Sequence, residues 1–384
     1  MNEQVIVREK SFPDKFLSIM KRIGKALKNP TFLYVIRRIL SSMFTLLLVI
    51  ALVTALIRLI PDINLYDIGT YNKLRAVSPQ AADSYRISIL FKYGRVTLDG
   101  KPVSVFYTIF QYIYWILPIP KVIPIRWDNR YTKVLENFEG WVFLGRSLYS
   151  NPKDVVELLK SRMGISFSIS LITVVFTYLL GYPLGVGMAK KPGGTVDKLG
   201  NIFLVLNYAI PALVFYLIMN MILGNPEGIF GAFGFSYFYE EGNLATLVPP
   251  IFCMVFLSIP GTSIWVRRFM IDELSSEYVK FARSKGLSEN RIMYTHVLRN
   301  AAVPLIRNIP ATLLLAIIGS YYVETIWGIP GTGNLLIGAL RSSKPDVPVI
   351  QGLTVIYAAL SMSAFLLGDI VTIFFDPRIK LTSK

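Results

Sequence analysis

The sequence predicts an all-α polytopic membrane protein. Six transmembrane helices cross the bilayer, both termini are cytoplasmic, and a folded extracytoplasmic insertion follows the first helix. Three observations predict this class. Of 384 residues, 53% are apolar without counting glycine, whereas soluble domains reach about 45–50% only with glycine included. Charged residues make up 17% against about 25% in an ordinary soluble chain, and mean hydropathy is +0.51. The apolar residues are also gathered into long runs, and a soluble fold has no way to hide that much apolar surface.

A spanning helix needs about 20 mostly apolar residues. Six segments qualify: 39–60, 165–189, 199–223, 244–266, 303–325 and 349–375. Several contain proline (Pro183, Pro211, Pro260, Pro310), which membrane helices tolerate when neighbouring helices satisfy the freed carbonyls. A further apolar run, Val103 to Leu117, is short and rich in aromatics. It reads as interfacial or folded into the adjoining loop.

Orientation follows from the short loops, because basic residues accumulate on the cytoplasmic side. The arm 1–38 carries nine Lys and Arg; Lys190, Lys191 and Lys198 mark a second loop; and 267–305 carries Arg267, Arg268, Lys280, Arg283, Lys285, Arg291 and Arg299. The tail 376–384 adds Arg378, Lys380 and Lys384. Six crossings put all four on one side. Within the arm, Phe16, Met20, Ile23 and Leu27 recur at helical spacing between lysines, the pattern of a basic helix lying on anionic lipid; a solvated tail is the alternative. The arm is not a cleavable signal peptide, because the first apolar stretch comes late and is long. The segment 61–164 lies outside and is too long and aromatic for a bare loop, so a small extracytoplasmic subdomain is expected. A turn is expected at Leu98-Asp99-Gly100-Lys101. The membrane core, five spans and the basic loop 267–305, then runs from 165 to 375.

The composition excludes several chemistries. One cysteine, Cys253, and one histidine, His296, cannot build a Cys/His zinc cage or an intramolecular disulfide. No G-x-x-x-x-G-K-[ST] phosphate loop occurs; Lys191 to Thr195 (KPGGT) is the nearest glycine-rich stretch. Glu324 and Asp369 are the acids inside spanning segments, and such charges face a cavity or a partner. Glu324 either lines the mouth of a pathway or orders the loop that follows. Asp369 reads as the partner of a cytoplasmic-side base, and Arg58 as a side chain reaching for the outer interface. An intramembrane enzyme would need paired polar groups at one depth, and Glu324 and Asp369 lie near opposite faces. A ligand sensor would need a cytoplasmic signalling domain, and none is evident.

The stretch 267–305 is unusually ordered for a loop. Ser275 can cap a helix with Glu277 in its first turn and Arg283 and Lys285 in its last, in the sense the helix dipole favours. Gly286 stands where a left-handed residue would end that helix. Ser288 can cap a second helix, opened by Glu289 and ending near Pro304. Tyr278, Phe281 and Ala282 are expected on one face. The physical sense is a rigid hairpin that docks into a partner and moves the membrane helices with it; an amphipathic hairpin resting on lipid is the alternative.

These residues resemble a known family, the inner-membrane permeases of ABC importers, in the oligopeptide/dipeptide/nickel branch and with the features of its oligopeptide permease B-like subunits. Glu277 to Pro304 (EYVKFARSKGLSENRIMYTHVLRNAAVP) looks like that branch's "EAA loop", with Gly286 at the signature glycine and Ala282 at the last alanine. Lys280 and Phe281 depart from the general glutamate and alanine. Leu144-Gly145-Arg146-Ser147-Leu148 with Val155 to Arg162, Val323 to Leu335 (VETIWGIPGTGNL), Pro345 to Gly352 and Asp376-Pro377-Arg378-Ile379 agree in order. The N-terminal arm and an insertion around 118–140 depart from the usual family member.

The resemblance implies a non-catalytic transport subunit of the bacterial cytoplasmic membrane. It would work with a second, different permease, two ATPase subunits and an extracytoplasmic substrate-binding lipoprotein. ATP and Mg would sit in the ATPase subunits, with no cofactor, metal or nucleic acid on this chain. The implied substrate is a peptide, oligopeptides first, with nickel or a nickel chelate as the alternative; one His and one Cys offer few soft ligands for nickel. Glu277, Tyr278, Phe281, Ala282, Arg283, Lys285, Gly286 and Leu287 would couple to the ATPase. Glu324, Trp327, Pro330 and Gly331 would line the pathway or its gate.

Overall fold

The structure is a computed structural model and describes residues 30–97, 99–129, 132–148, 154–341 and 344–375. The basic helix read at Phe16 to Leu27 and the motif at Asp376 to Ile379 lie outside the described residues.

The first membrane helix, α1 (Pro30–Arg58), turns most of its apolar side chains outward, as a helix bathed in lipid does. Two short helices follow, α2 (Ile68–Val77) and α3 (Pro79–Lys92). Their N-caps are Asp67, accepting from Thr70 N–H at 2.7 Å, and Ser78, accepting from Ala81 N–H at 3.4 Å. Leu98 of the expected turn lies outside the described residues; around it Gly100 has φ +74 and Thr97 N–H reaches the Lys101 carbonyl at 2.8 Å. The aromatic run becomes α4 (Val105–Ile116), 12 residues long, or about 18 Å, too short to cross a bilayer. Lys121 seals its C-terminus, donating to the carbonyls of Tyr114, Trp115 and Leu117 at 2.7, 2.8 and 2.6 Å. That ammonium is 5% exposed, and burial lowers its pKa.

The all-α expectation fails in one place. Strands β1 (Lys121–Asn129) and β2 (Thr132–Gly140) form an antiparallel pair, in register from Lys121 opposite Gly140 to Asn129 opposite Thr132. Val122, Ile123, Ile125, Trp127, Thr132, Val134 and Phe138 are strand-favouring residues. Pro124 is tolerated because a two-stranded sheet has only edges. The insertion read at 118–140 is therefore a β-hairpin.

The helix α5 (Val155–Lys190) has 36 residues, about 54 Å at 1.5 Å per residue. It starts ten residues before the expected 165. Hydropathy marks where lipid begins, whereas the helix begins at its cap, Asp154, which pairs with Arg146 at 2.8 Å. The third apolar run is not one rod. It forms α6 (Thr195–Ala209) and α7 (Ala212–Leu223), bent by 95°. Pro211 cannot donate a backbone hydrogen bond and holds Ile210 extended at ψ 121.

The helix α8 (Val248–Leu274) passes the expected end at 266 by two turns. Its contact with α5 is made by small residues: Gly181 faces Thr262, and a Cβ on Gly185 would lie 2.6 Å from the Ser263 carbonyl oxygen. Removing side chains there lets the two backbones approach. Next come α9 (Glu277–Ser284), α10 (Glu289–Arg291), a π-helical turn at Ile292–Val297, and α11 (Leu298–Gly319). The chain closes with α12 (Tyr321–Ile326), α13 (Thr332–Arg341) and α14 (Val347–Phe375).

All six apolar segments are thus helical. By length and composition, four helices among the described residues can each cross a membrane, and the bent pair adds a fifth if it is one crossing. The last helix returns to the first. Gln351 donates to Thr54 at 2.7 Å, and Arg38 pairs with Asp369 at 2.7 Å, the partner expected for that acid.

Candidate functional site

The hairpin begins at Ser276. Its ψ of 148 makes it the N-cap of α9, whereas Ser275, expected in that role, still closes α8 with ψ −8. Of two adjacent serines, only the extended one can start a new helix. At the other end the expectation holds. Gly286 has φ +73, Gly286 N–H reaches the Arg283 carbonyl at 2.9 Å, and Leu287 N–H reaches the Ala282 carbonyl at 3.3 Å. These are the two bonds of a Schellman closure.

The second arm departs from its expected end near Pro304. It runs through the π turn, Pro304 and Pro310 to Gly319 without a break. Packed neighbours tolerate the two missing N–H groups, so this arm is continuous with a long apolar helix.

The expected shared face of Tyr278, Phe281 and Ala282 does not form. Phe281 and Ala282 are adjacent, hence about 100° apart around the helix. Ala282 is buried beside Val279, Tyr278 is half-buried with its hydroxyl on Glu273 at 2.7 Å, and Phe281 is 61% exposed. The Lys285 ammonium sits 4.4 Å from the Phe281 ring centre. Arg283 bridges the two arms by a bidentate pair with Glu289 at 2.8 and 3.2 Å, which holds the Glu289 carboxyl below its ordinary pKa. Glu277 and Gly286 face outward and Leu287 packs inward.

Beneath this exposed rim the hairpin is continuous with the bundle. Val279, Ala282, Ile292, Met293 and Val297 share one buried cluster with Val186 and Ala189 of α5, Val266 and Met270 of α8, and Ala301 and Leu305 of α11. Close-packed interiors transmit displacement rather than absorb it. Force applied at Phe281 therefore reaches three long helices.

A staple missed from sequence lies at the same end. Asp197, 3% exposed, accepts from Arg267 at 2.6 and 2.9 Å, from Gly193 N–H at 2.8 Å and from Asn201 at 2.9 Å. Its only readable signal is a lone acid among Lys190, Lys191 and Lys198. Asp197→Asn is expected to cost about 3 kcal/mol, because it strips a half-buried arginine of its counter-charge; a lowered unfolding temperature in detergent checks it.

The four residues read as pathway or gate form a second constellation. Glu324 is fully buried, and its carboxylate accepts from Ser320 Oγ at 2.5 Å, Gly333 N–H at 2.7 Å and Asn334 N–H at 3.1 Å. Thr332 N–H donates to Ser166 of α5 at 2.9 Å. Trp327 is buried against Tyr216, and its carbonyl accepts Tyr239 N–H at 2.7 Å. A Cβ on Gly331 would lie 2.3 Å from Glu324 Oε2, so only glycine fits there. Pro330 is half-buried in the same turn. This carboxylate ties α12, α13 and, through Ser166, α5 into one knot. Among the described residues no group of three His, Cys, Asp or Glu is placed to hold a metal ion. Cys253 is buried in the core, and His296 lies in the π turn.

Residues 181–381, from the last third of α5 through the hairpin and Glu324 to the tail, match the family described as binding-protein-dependent transport system inner membrane component. The chain belongs to this family. It is a multi-pass protein of the bacterial cytoplasmic membrane. Over 219 residues it is 38% identical to the oligopeptide transport system permease protein AmiC of Streptococcus pneumoniae, covering 56% of this chain and 42% of that protein. The chain thus spans less than half of that relative's length. The oligopeptide transport system permease protein AppB of Bacillus subtilis is 32% identical over 255 residues, 65% of this chain and 80% of AppB. The dipeptide transport system permease protein DppB of Lactococcus lactis is 29% identical over 255 residues, 66% of this chain and 81% of DppB. The family match leaves out α1 to α4, the β-hairpin and residues 155–180 of α5.

Proposed function

We propose that the chain is the membrane permease subunit of an ATP-driven importer and forms, with a second, different permease, the path by which peptides enter the cell. The observation that carries this reading is the hairpin 276–291. It exposes Phe281, Lys280 and Lys285 while its inner face is locked to α5, α8 and α11. A partner gripping that rim moves the helices. Two ATPase subunits on the cytoplasmic side would bind ATP and Mg and supply the motion, and an extracytoplasmic binding lipoprotein would deliver the substrate. This chain itself would catalyse nothing.

Six crossings complete the reading: α1, α5, the bent pair α6–α7, α8, α11 with α12, and α14. Lys and Arg in 1–38, 190–198, 267–305 and 376–384 then fall on the cytoplasmic side. Relatives named as oligopeptide and dipeptide permeases favour peptide over nickel as the cargo.

The test is co-expression with the neighbouring subunits and reconstitution into liposomes. ATP-dependent uptake of labelled peptides is expected from the full assembly, while the chain alone shows no saturable nucleotide binding. ATP bound stoichiometrically by the chain alone would overturn the subunit assignment.

A further inference from the structure

The region before α5 lies outside the family match, and its basic character is not absorbed by the transport reading. Two arginines stand at its centre. Arg58 ends α1, and its guanidinium donates to the Val103 carbonyl. Arg95, 8% exposed, donates to the carbonyls of Arg58 and Ile57, both at 2.7 Å. Asp62 lies 3.5 Å from Arg95 and is half in solvent. Two guanidinium groups therefore share a single, poorly desolvated carboxylate. Between them the donors engaged are few against the ten that two guanidinium groups carry.

Both arginines line one small, partly open recess, with the apolar Ile57 and Val347 beside Thr54, Tyr93, Thr108 and Gln351. Two planar cations, the groups that recognise phosphate oxygens, meet there, while the other polar side chains are held in place by bonds of their own: Tyr93 donates to the Pro345 carbonyl at 3.2 Å, Thr108 to the Ser104 carbonyl at 3.1 Å and Gln351 to Thr54 at 2.7 Å. Burial first, and then the neighbouring Arg58 charge, lowers the Arg95 pKa. The two cations oppose each other, and an anion placed between them relieves that repulsion.

The surroundings are those of a bilayer. The helix α4 runs antiparallel to the last turns of α1: Arg58 meets Val103, and Ile50 packs on Tyr112. On the same two helices, Leu56, Phe106 and Phe110 are 54, 73 and 70% exposed. Apolar side chains left open on helices that carry a basic recess at the end of a span suit acyl chains below a phosphate headgroup.

We propose that the Arg58–Arg95 recess is a binding site for a phosphate group, supplied by the diester of an anionic phospholipid or by free phosphate. It does not depend on the direction of transport or on which cargo is carried.

The purified full-length protein, with its partner subunits, is titrated with dioctanoyl phosphatidylglycerol, with dioctanoylglycerol and with inorganic phosphate, and binding is read by native mass spectrometry and thermal shift. Phosphatidylglycerol is expected to bind wild type, and Arg58→Gln to weaken it about fivefold, the loss of one arginine at a membrane surface. Dioctanoylglycerol is expected not to bind, and Arg86→Gln, outside the recess, to change nothing. Arg95→Gln removes the two bonds that hold the end of α1, so Arg58→Gln carries the test. Inorganic phosphate binding with the same sensitivity to Arg58→Gln, in place of the lipid, assigns the site to free phosphate. Equal binding of the phosphate ligands by wild type and Arg58→Gln, or none by wild type, overturns the proposal.

Discussion

Gly286→Pro is expected to leave the protein inserted in the membrane but to abolish coupled transport. Gly286 has φ +73, and its N–H closes α9 onto the Arg283 carbonyl at 2.9 Å. Proline fixes φ near −65° and has no N–H, a penalty of about 3 kcal/mol. That is about a hundredfold loss in the population of correctly folded hairpin, since each 1.4 kcal/mol is tenfold. Gly286→Ala separates backbone conformation from bulk. A Cβ there meets nothing within 4 Å, so alanine pays only the left-handed penalty of about 1–2 kcal/mol and should retain much of the activity. The measurements are peptide uptake and ATPase stimulation in the reconstituted assembly. Normal uptake by the proline variant would refute the hairpin as the coupling element.

The second large effect is expected at Glu324. Glu324→Ala leaves the N–H groups of Gly333 and Asn334 without their shared acceptor, while the Ser320 hydroxyl can still reach the Ile317 carbonyl at 3.1 Å. Unpaired buried donors cost about 1–3 kcal/mol each, so a loss of at least about 2 kcal/mol is expected. The reading is a large fall in unfolding temperature and in the amount of protein accumulating in the membrane. Glu324→Gln keeps one acceptor oxygen and the shape, and should lose about half as much. If this carboxylate is chiefly structural, the Gln variant transports with an unchanged KM. An alanine variant as stable as wild type would show that the knot does not depend on this side chain.

How far these features could be read beforehand depends on the range of the interaction. Every apolar run became a helix, because burial in lipid is a property of a single segment. Gly286 was legible because a Schellman closure is local: a glycine, a basic last turn and two serines announce it. The ends of the helices were not legible. α5 begins at Val155 and α8 reaches Leu274 because a helix continues past the lipid wherever its polar turns find packing, and no hydropathy window records that. The prolines make the same point. Pro183, Pro260, Pro304 and Pro310 lie inside helices while Pro211 breaks one through 95°; the difference resides in neighbours far along the chain. Asp197 with Arg267, and Ser166 with Thr332, pair across large separations that one sequence does not reveal. Phe281 and Ala282 were placed together by composition, and helical angle then put one outside and the other within.

The bond between Arg38 and Asp369 joins residues 331 positions apart, and Gln351 with Thr54 spans nearly as much. The helix α1 therefore cannot complete its seat until α14 has been made, however soon its own turns form in the membrane. Pairings of such sequence separation close late, because the chain between them must be ordered first.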